Sequence, residues 1–166
     1  MPVSVDDIKA LREQTGAGVM DCRNALDEAD GNLDKAIELL REKGLSKAQK
    51  RSDREIGQGL VEAYVHGGRI GVLVEVNCET DFVARTDVFK ELAHDVAMQI
   101  ASMAPAGVTT DDLPDGIEGE PEELALLTQP FIKDPSKTIQ DLINEAVTAT
   151  GERIEIRRFT RYELGE

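Results

Sequence analysis

The chain has 166 residues, 40% of them apolar and 31% charged, with a formal net charge of −14. That balance fits a soluble folded chain of one medium domain or two small ones, not a disordered one. So acidic a chain argues against general nucleic-acid binding, which needs clustered Lys and Arg against phosphate.

Charge is unevenly placed. Residues 1–55 carry 10 basic and 12 acidic side chains, and residues 56–166 carry 9 and 21. Between Glu91 and Ile132 there is no Lys or Arg. Such asymmetry predicts two units with different surfaces. Cys22 and Cys78 lie far apart and lack metal-ligand spacing. No secretory signal or apolar span of membrane length is legible, and the Met-Pro start reads as that of an unprocessed cytoplasmic chain with reduced thiols. No cofactor, metal or membrane is expected.

Ser4 caps a predicted first helix, with Val5, Ile8 and Leu11 at helical spacing. Thr15-Gly16-Ala17-Gly18 is a turn. From about Met20, Cys22, Ala25, Leu26 and Ala29 form one face of a second helix, which Asp30-Gly31 stops. Asn32 caps a third, with Leu33, Ala36, Ile37 and Leu40 on one face and Gly44 as its C-terminal cap. Three such helices predict a small bundle over residues 1–45 resembling the ubiquitin-associated domain. A basic linker, 46–55, follows, with Lys47, Lys50, Arg51 and Arg54.

Residues 56–166 read as an α+β domain, an antiparallel sheet covered by helices. Leu60–His66 is a strand, Gly67-Gly68 a hairpin turn, and Ile70, Val72, Val74, Val76 and Cys78 alternate with Gly71, Leu73, Glu75, Asn77 and Glu79. The strand pattern fades at Glu79-Thr80-Asp81. Thr86-Asp87 caps a long helix carrying Phe89, Leu92, Ala93, Val96, Ile100 and Met103. Thr109–Gly119 is an acidic surface loop, Pro121–Leu127 a short helix, and Gln129–Ser136, with two prolines, a connection. Thr138 caps a last helix, with Ile139, Leu142, Ile143, Ala146 and Val147 on one face, closed by Gly151; Arg153–Leu164 is a final strand.

Little here suits covalent chemistry. Cys78, His66 and Asp81 are conceivable as nucleophile, base and orienter. Yet Cys78 shares the parity of the inward valines, and about 26 Å of strand separates it from His66 at ~3.3 Å per residue. No phosphate loop, GxSxG or HExxH is present. Binding remains. Phe82, beside Asp81 on a strand-to-helix connection, is either a core plug or an exposed anchor, and local pattern leaves both open. Val19 and Met20 carry the same ambiguity, with one of the two expected inward.

Two stretches carry a resemblance. Leu11-Arg-Glu-Gln-Thr-Gly-Ala-Gly-Val-Met-Asp-Cys-Arg-Asn-Ala-Leu26 and Glu75-Val-Asn-Cys-Glu-Thr-Asp-Phe-Val-Ala-Arg85 resemble the two signatures of bacterial translation elongation factor Ts, in that family's order and spacing. Gly151–Tyr162 resembles its closing strand. Arg23 stands where Lys is usual, Arg153 where Asn is usual and Val19 where Met is common. The resemblance implies the short form of the family, lacking a second core half and a coiled coil, and therefore a homodimer. It also implies a nucleotide-exchange factor, not an enzyme, whose partner is the GTPase EF-Tu. Thr80, Asp81, Phe82 and Val83 would form a wedge that disturbs the Mg²⁺ and phosphate site of the GTPase, and Arg12, Val19 and Met20 would grip its nucleotide-binding domain. A passive adaptor, with the bundle holding some other partner, is the competing expectation.

Overall fold

The computed structural model describes residues 3–50 and 53–166, the side chains of 45–50 excepted. It comprises two compact units. The first holds the residues up to Arg54 together with Asn144–Arg153; the second holds Glu55–Ile143 and Ile154–Glu166.

In the first unit, helices α1 (Val5–Thr15), α2 (Val19–Glu28) and α3 (Leu33–Lys50) pack on one another. α1 and α3 start at side-chain caps, whereas α2 follows Gly18 without one. The Ser4 hydroxyl accepts from the Asp7 amide at 3.0 Å, and the Asn32 side chain accepts from the Lys35 amide at 3.0 Å. α1 ends in a left-handed Gly16, φ +68°, whose amide donates to the Arg12 carbonyl. Leu11, Cys22, Ala25, Leu26, Ala36 and Leu40 are buried together, so Cys22 acts as a small hydrophobe; burial is the main reason its thiol pKa is raised. Val5, expected in the stripe, is exposed because it opens the first turn.

Gly44 does not end α3. The helix runs through it, and the expected linker at 46–55 therefore begins as helix; Arg51 and Ser52, and the side chains of Lys47 and Lys50, lie outside the described residues. Gly44 is buried against the second half of α7 (Ile139–Thr150). A Cβ at 44 would lie 2.5 Å from the Thr148 Oγ1 and 3.5 Å from the Asn144 carbonyl. The glycine is thus used for close helix approach, not as a stop. In the same unit Arg153 donates to the Arg54 carbonyl at 2.7 Å, and Arg23 pairs with Asp27 at 3.9 Å.

The second unit is built on a three-stranded antiparallel sheet in the order β1 (Gln58–His66), β2 (Ile70–Cys78), β5 (Glu155–Glu163). β1 and β2 form a hairpin from Gln58↔Cys78 to His66↔Ile70, closed by Gly67 and Gly68, both with positive φ. Val72, Val74, Val76 and Cys78 are buried, as the period of two requires. α5 (Asp87–Met103) lies across β1 and β2 and contributes Phe89, Ala93, Val96 and Ile100 to the same core, while Met103 in its last turn is exposed.

The stretch read as a connection contains a second hairpin, β3 (Pro130–Phe131) with β4 (Asp134–Thr138). Pro130 opens its strand, a place where a missing amide donor is tolerated. The buried Gln99 amide fixes this hairpin to α5. It donates to the Pro130 carbonyl at 3.0 Å and the Gln129 Oε1 at 3.3 Å, and accepts from the Ile132 amide at 2.9 Å. Gln129 in turn donates to the Glu123 carbonyl at the short helix α6 (Pro121–Leu124). Thr138 and Asp141 cap α7 reciprocally.

The β2–β5 register shifts between Glu75 and Val76, which leaves Arg157 as an extra residue. This breaks the alternation on β5. Consecutive arginines, which should point to opposite faces, both reach the Glu75 carboxylate, Arg158 at 3.0 Å and Arg157 at 3.5 Å. A hydrogen bond from the Asn77 side chain and then these guanidinium groups hold the Glu75 pKa below the usual glutamate range.

Two outcomes follow. Gly44→Leu should destabilise the chain by about 1–3 kcal/mol through overpacking, while Gly44→Ala, with a helix-propensity gain of about 1 kcal/mol, should change the melting temperature far less. Because the Glu75 pKa is depressed in the folded state, its contribution to stability is present above the unfolded value, near about 4.3, and is lost as pH falls through the folded value. Melting curves of wild type and Glu75→Gln should therefore differ most near neutral pH and converge on acidification below about pH 4.

Candidate functional site

β2 ends at Cys78, and the chain turns at once into a single helical turn, α4 (Asp81–Ala84). The strand-to-helix connection is thus a capped turn, and each of its residues has a distinct place. The Cys78 thiol donates to the Thr80 carbonyl at 3.1 Å. Thr80, in extended backbone, is the N-cap, and its hydroxyl accepts from the Val83 amide at 3.3 Å. The Thr86 hydroxyl donates to the Val83 carbonyl at 2.7 Å and accepts from the Phe89 amide at 3.3 Å, so one side chain both closes α4 and opens α5.

A helical turn places residues 81 and 82 roughly opposite 83 and 84. Val83 and Ala84 are buried, while Asp81 and Phe82 face outward. Phe82 is 76% exposed. Phe82 is not a core plug: the core beneath is closed by Val83, Ala84 and Phe89, and Phe82 stands in solvent. An exposed phenylalanine forgoes about 1.5–3 kcal/mol that burial would supply. Asp81 forms an ion pair with Arg85 at 3.0 Å, both partners well exposed. Val83, grouped with the wedge residues from the sequence, is an anchor whose side chain points into its own core.

In the helical unit, Arg12 is exposed on α1. Val19 and Met20, the first residues of α2, are 51% and 62% exposed. The expectation that one of them faces inward fails, because Ala17 and Cys22 already fill the bundle at this point. Two adjacent apolar side chains therefore lie on the surface beside the turn.

The thiol-enzyme arrangement is not assembled. Cys78 is buried, His66 sits at the far end of the hairpin with its Nδ1 3.0 Å from the Tyr64 hydroxyl, and Asp81 is engaged by Arg85. Among the described residues no group of three or more His, Cys, Asp or Glu side chains could hold a metal ion, and no helix is long and apolar enough to cross a membrane.

Sequence reasoning also missed the outward face of the sheet. Val61, Val65, Leu73 and Tyr162 are all exposed on it. Residues 61, 65, 71, 73 and 162 are tied to one face by the pairings Val65↔Gly71, Gly71↔Tyr162 and Val61↔Glu75. The signal was present in Leu73, an apolar residue on the polar parity of β2.

The family model for elongation factor TS matches residues 5–122 and 116–166. The chain is 49% identical to elongation factor Ts of Moorella thermoacetica, covering 99% of this chain and 96% of that protein. It is 47% identical to those of Coprothermobacter proteolyticus, over the whole of both chains, and Thermotoga neapolitana, over all of this chain and 99% of that one. The alignment to the Moorella protein runs over 195 positions against 166 residues here, so relatives carry internal residues that this chain lacks. Matched along nearly its full length by the family model and by such relatives, the chain belongs to the elongation factor Ts family.

Proposed function

We propose that this chain is a guanine-nucleotide exchange factor for the translational GTPase EF-Tu, acting in the cytoplasm by binding and not by covalent chemistry. The observation that carries the reading is Phe82, an aromatic ring held in solvent on a capped and anchored helical turn. A GTPase holds GDP through its phosphate loop and Mg²⁺. A factor that binds the nucleotide-free form better than the GDP form must weaken GDP by the same coupling factor. Phe82 would supply the differential contact by entering an apolar pocket of the GTPase beside the metal. Asp81 accompanies it on the exposed side; Thr80 and Val83 hold the turn. Arg12, Val19 and Met20 would give affinity for the nucleotide-binding domain without driving release. The family membership and the exposure of these side chains support this reading over a passive adaptor.

A second copy of the chain is the proposed occupant of the outward sheet face. Residues 56–166 carry 9 basic and 21 acidic side chains, so two copies repel over most of their surface. On this face Arg157 and Arg158 more than balance the Glu75 carboxylate, and Val61, Val65, Leu73 and Tyr162 expose apolar surface. Self-association is least opposed there.

Release of a fluorescent GDP analogue from EF-Tu tests the exchange reading. Wild type should accelerate it, and Phe82→Ala should lose about thirtyfold of that acceleration, the equivalent of ~2 kcal/mol of hot-spot contact, with an unchanged melting temperature. Acceleration equal to wild type would end the wedge reading. In sedimentation velocity at micromolar concentration, wild type should run as a dimer and Leu73→Asp as a monomer. A monomeric wild type would remove the second copy.

A further inference from the structure

Gly59 lies on β1 directly across from Asn77, one residue before Cys78 at the root of the Phe82 turn. Its φ is +148°, a conformation that L side chains rarely adopt. A Cβ at 59 would overlap the Val76 carbonyl oxygen and lie 2.8 Å from the Asn77 Cα. Both obstacles are backbone of the central strand, so neither can rotate aside. Next to the same point, on the opposite edge of β2, the register with β5 shifts between Glu75 and Val76. The strand is thus shaped from both sides just before it delivers α4. By contrast, a Cβ at Gly57, two residues earlier, would meet nothing within 4 Å.

We propose that Gly59 is a positioning residue for the Phe82 tip. Bare backbone at 59 lets β1 lie against Val76 and Asn77, and that close approach sets the angle at which the chain leaves the sheet into α4. α4 packs on both β1 and β2, so a displacement between the two strands is passed to it directly. The inference rests on the exchange reading above. A side chain at 59 forces the strands apart at the root of the tip, and a misplacement of about 1 Å in a positioned group costs on the order of 100-fold in rate.

The experiment compares Gly59→Ala, Gly57→Ala and Phe82→Ala in the full chain, titrated against EF-Tu loaded with fluorescent GDP so that kcat and KM separate. Amide hydrogen exchange and circular dichroism are recorded on each. Gly59→Ala should lower kcat at least tenfold with KM within twofold, since the bundle residues Arg12, Val19 and Met20 are untouched. Its amides at Thr80–Arg85 should exchange faster while those of α1–α3 stay as in wild type. Gly57→Ala should match wild type within twofold in both parameters. A Gly59→Ala chain that keeps kcat within twofold, raises KM as much as it lowers kcat, or loses its sheet signal overturns the inference; the last outcome would leave Gly59 a folding residue only. Failure of the exchange reading is distinct, because then Phe82→Ala itself exchanges as fast as wild type.

Discussion

The central position of β2 is the constraint from which the second unit follows. Hydrogen-bonded to β1 on one edge and to β5 on the other, and buried through Val72, Val74 and Val76 against α5, this strand cannot slide without breaking two ladders and turning a valine row into solvent. A shift of one residue would exchange that row for Gly71, Leu73 and Glu75. Because the strand is fixed, whatever follows Cys78 is fixed at its base. An apolar ring on a frayed loop would fold back onto its own protein. On a stem of this kind, with Val83 and Ala84 buried behind it, the ring of Phe82 stays outside.

Much of this was legible because it depends on local chemistry. Ser4, Asn32, Thr86 and Thr138 each cap the helix expected of them, since a side-chain oxygen one residue before a helix competes only with water for the first amides. The period of two in β2 was legible for the same reason: pleating alone dictates it. What escaped depends on partners remote in sequence. Gly44 reads as a stop because a glycine after a lysine usually is one, and only the presence of Thr148 shows that the missing side chain makes room for another helix. The β3–β4 hairpin escapes because two prolines mask it, and its fixation comes from Gln99 on a distant helix. The register shift at Glu75 cannot be read from β5 alone, where Arg157 and Arg158 look like one inward and one outward residue.

In the stretch Thr80–Val83, which the resemblance singles out, the structure gives the members different surroundings. Thr80 to Val83 form one short motif, yet two of its members are structural. Thr80 caps and Val83 anchors, while Asp81 and Phe82 are presented. Likewise Val19 and Met20 were expected to divide between core and surface. Both are outside because Ala17 and Cys22 occupy the interior there, and neither small residue stands out in a search for apolar anchors.

The stiffness of the tip can be apportioned. The Asp81–Arg85 pair is the conspicuous polar contact of α4, but both groups are well exposed, and such pairs contribute about 0–1 kcal/mol. Two threonine caps at about 1 kcal/mol each and the burial of Val83, at about 1.5–3 kcal/mol, outweigh it together. Among its own contacts, the turn is therefore held by Thr80, Thr86 and Val83 more than by the ion pair. The charge on Asp81 can exchange its arginine for another cation at little cost, whereas the backbone that carries Phe82 cannot move without uncovering the core. A rigid frame with an easily re-paired carboxylate and an unburied ring is what the proposed wedge requires.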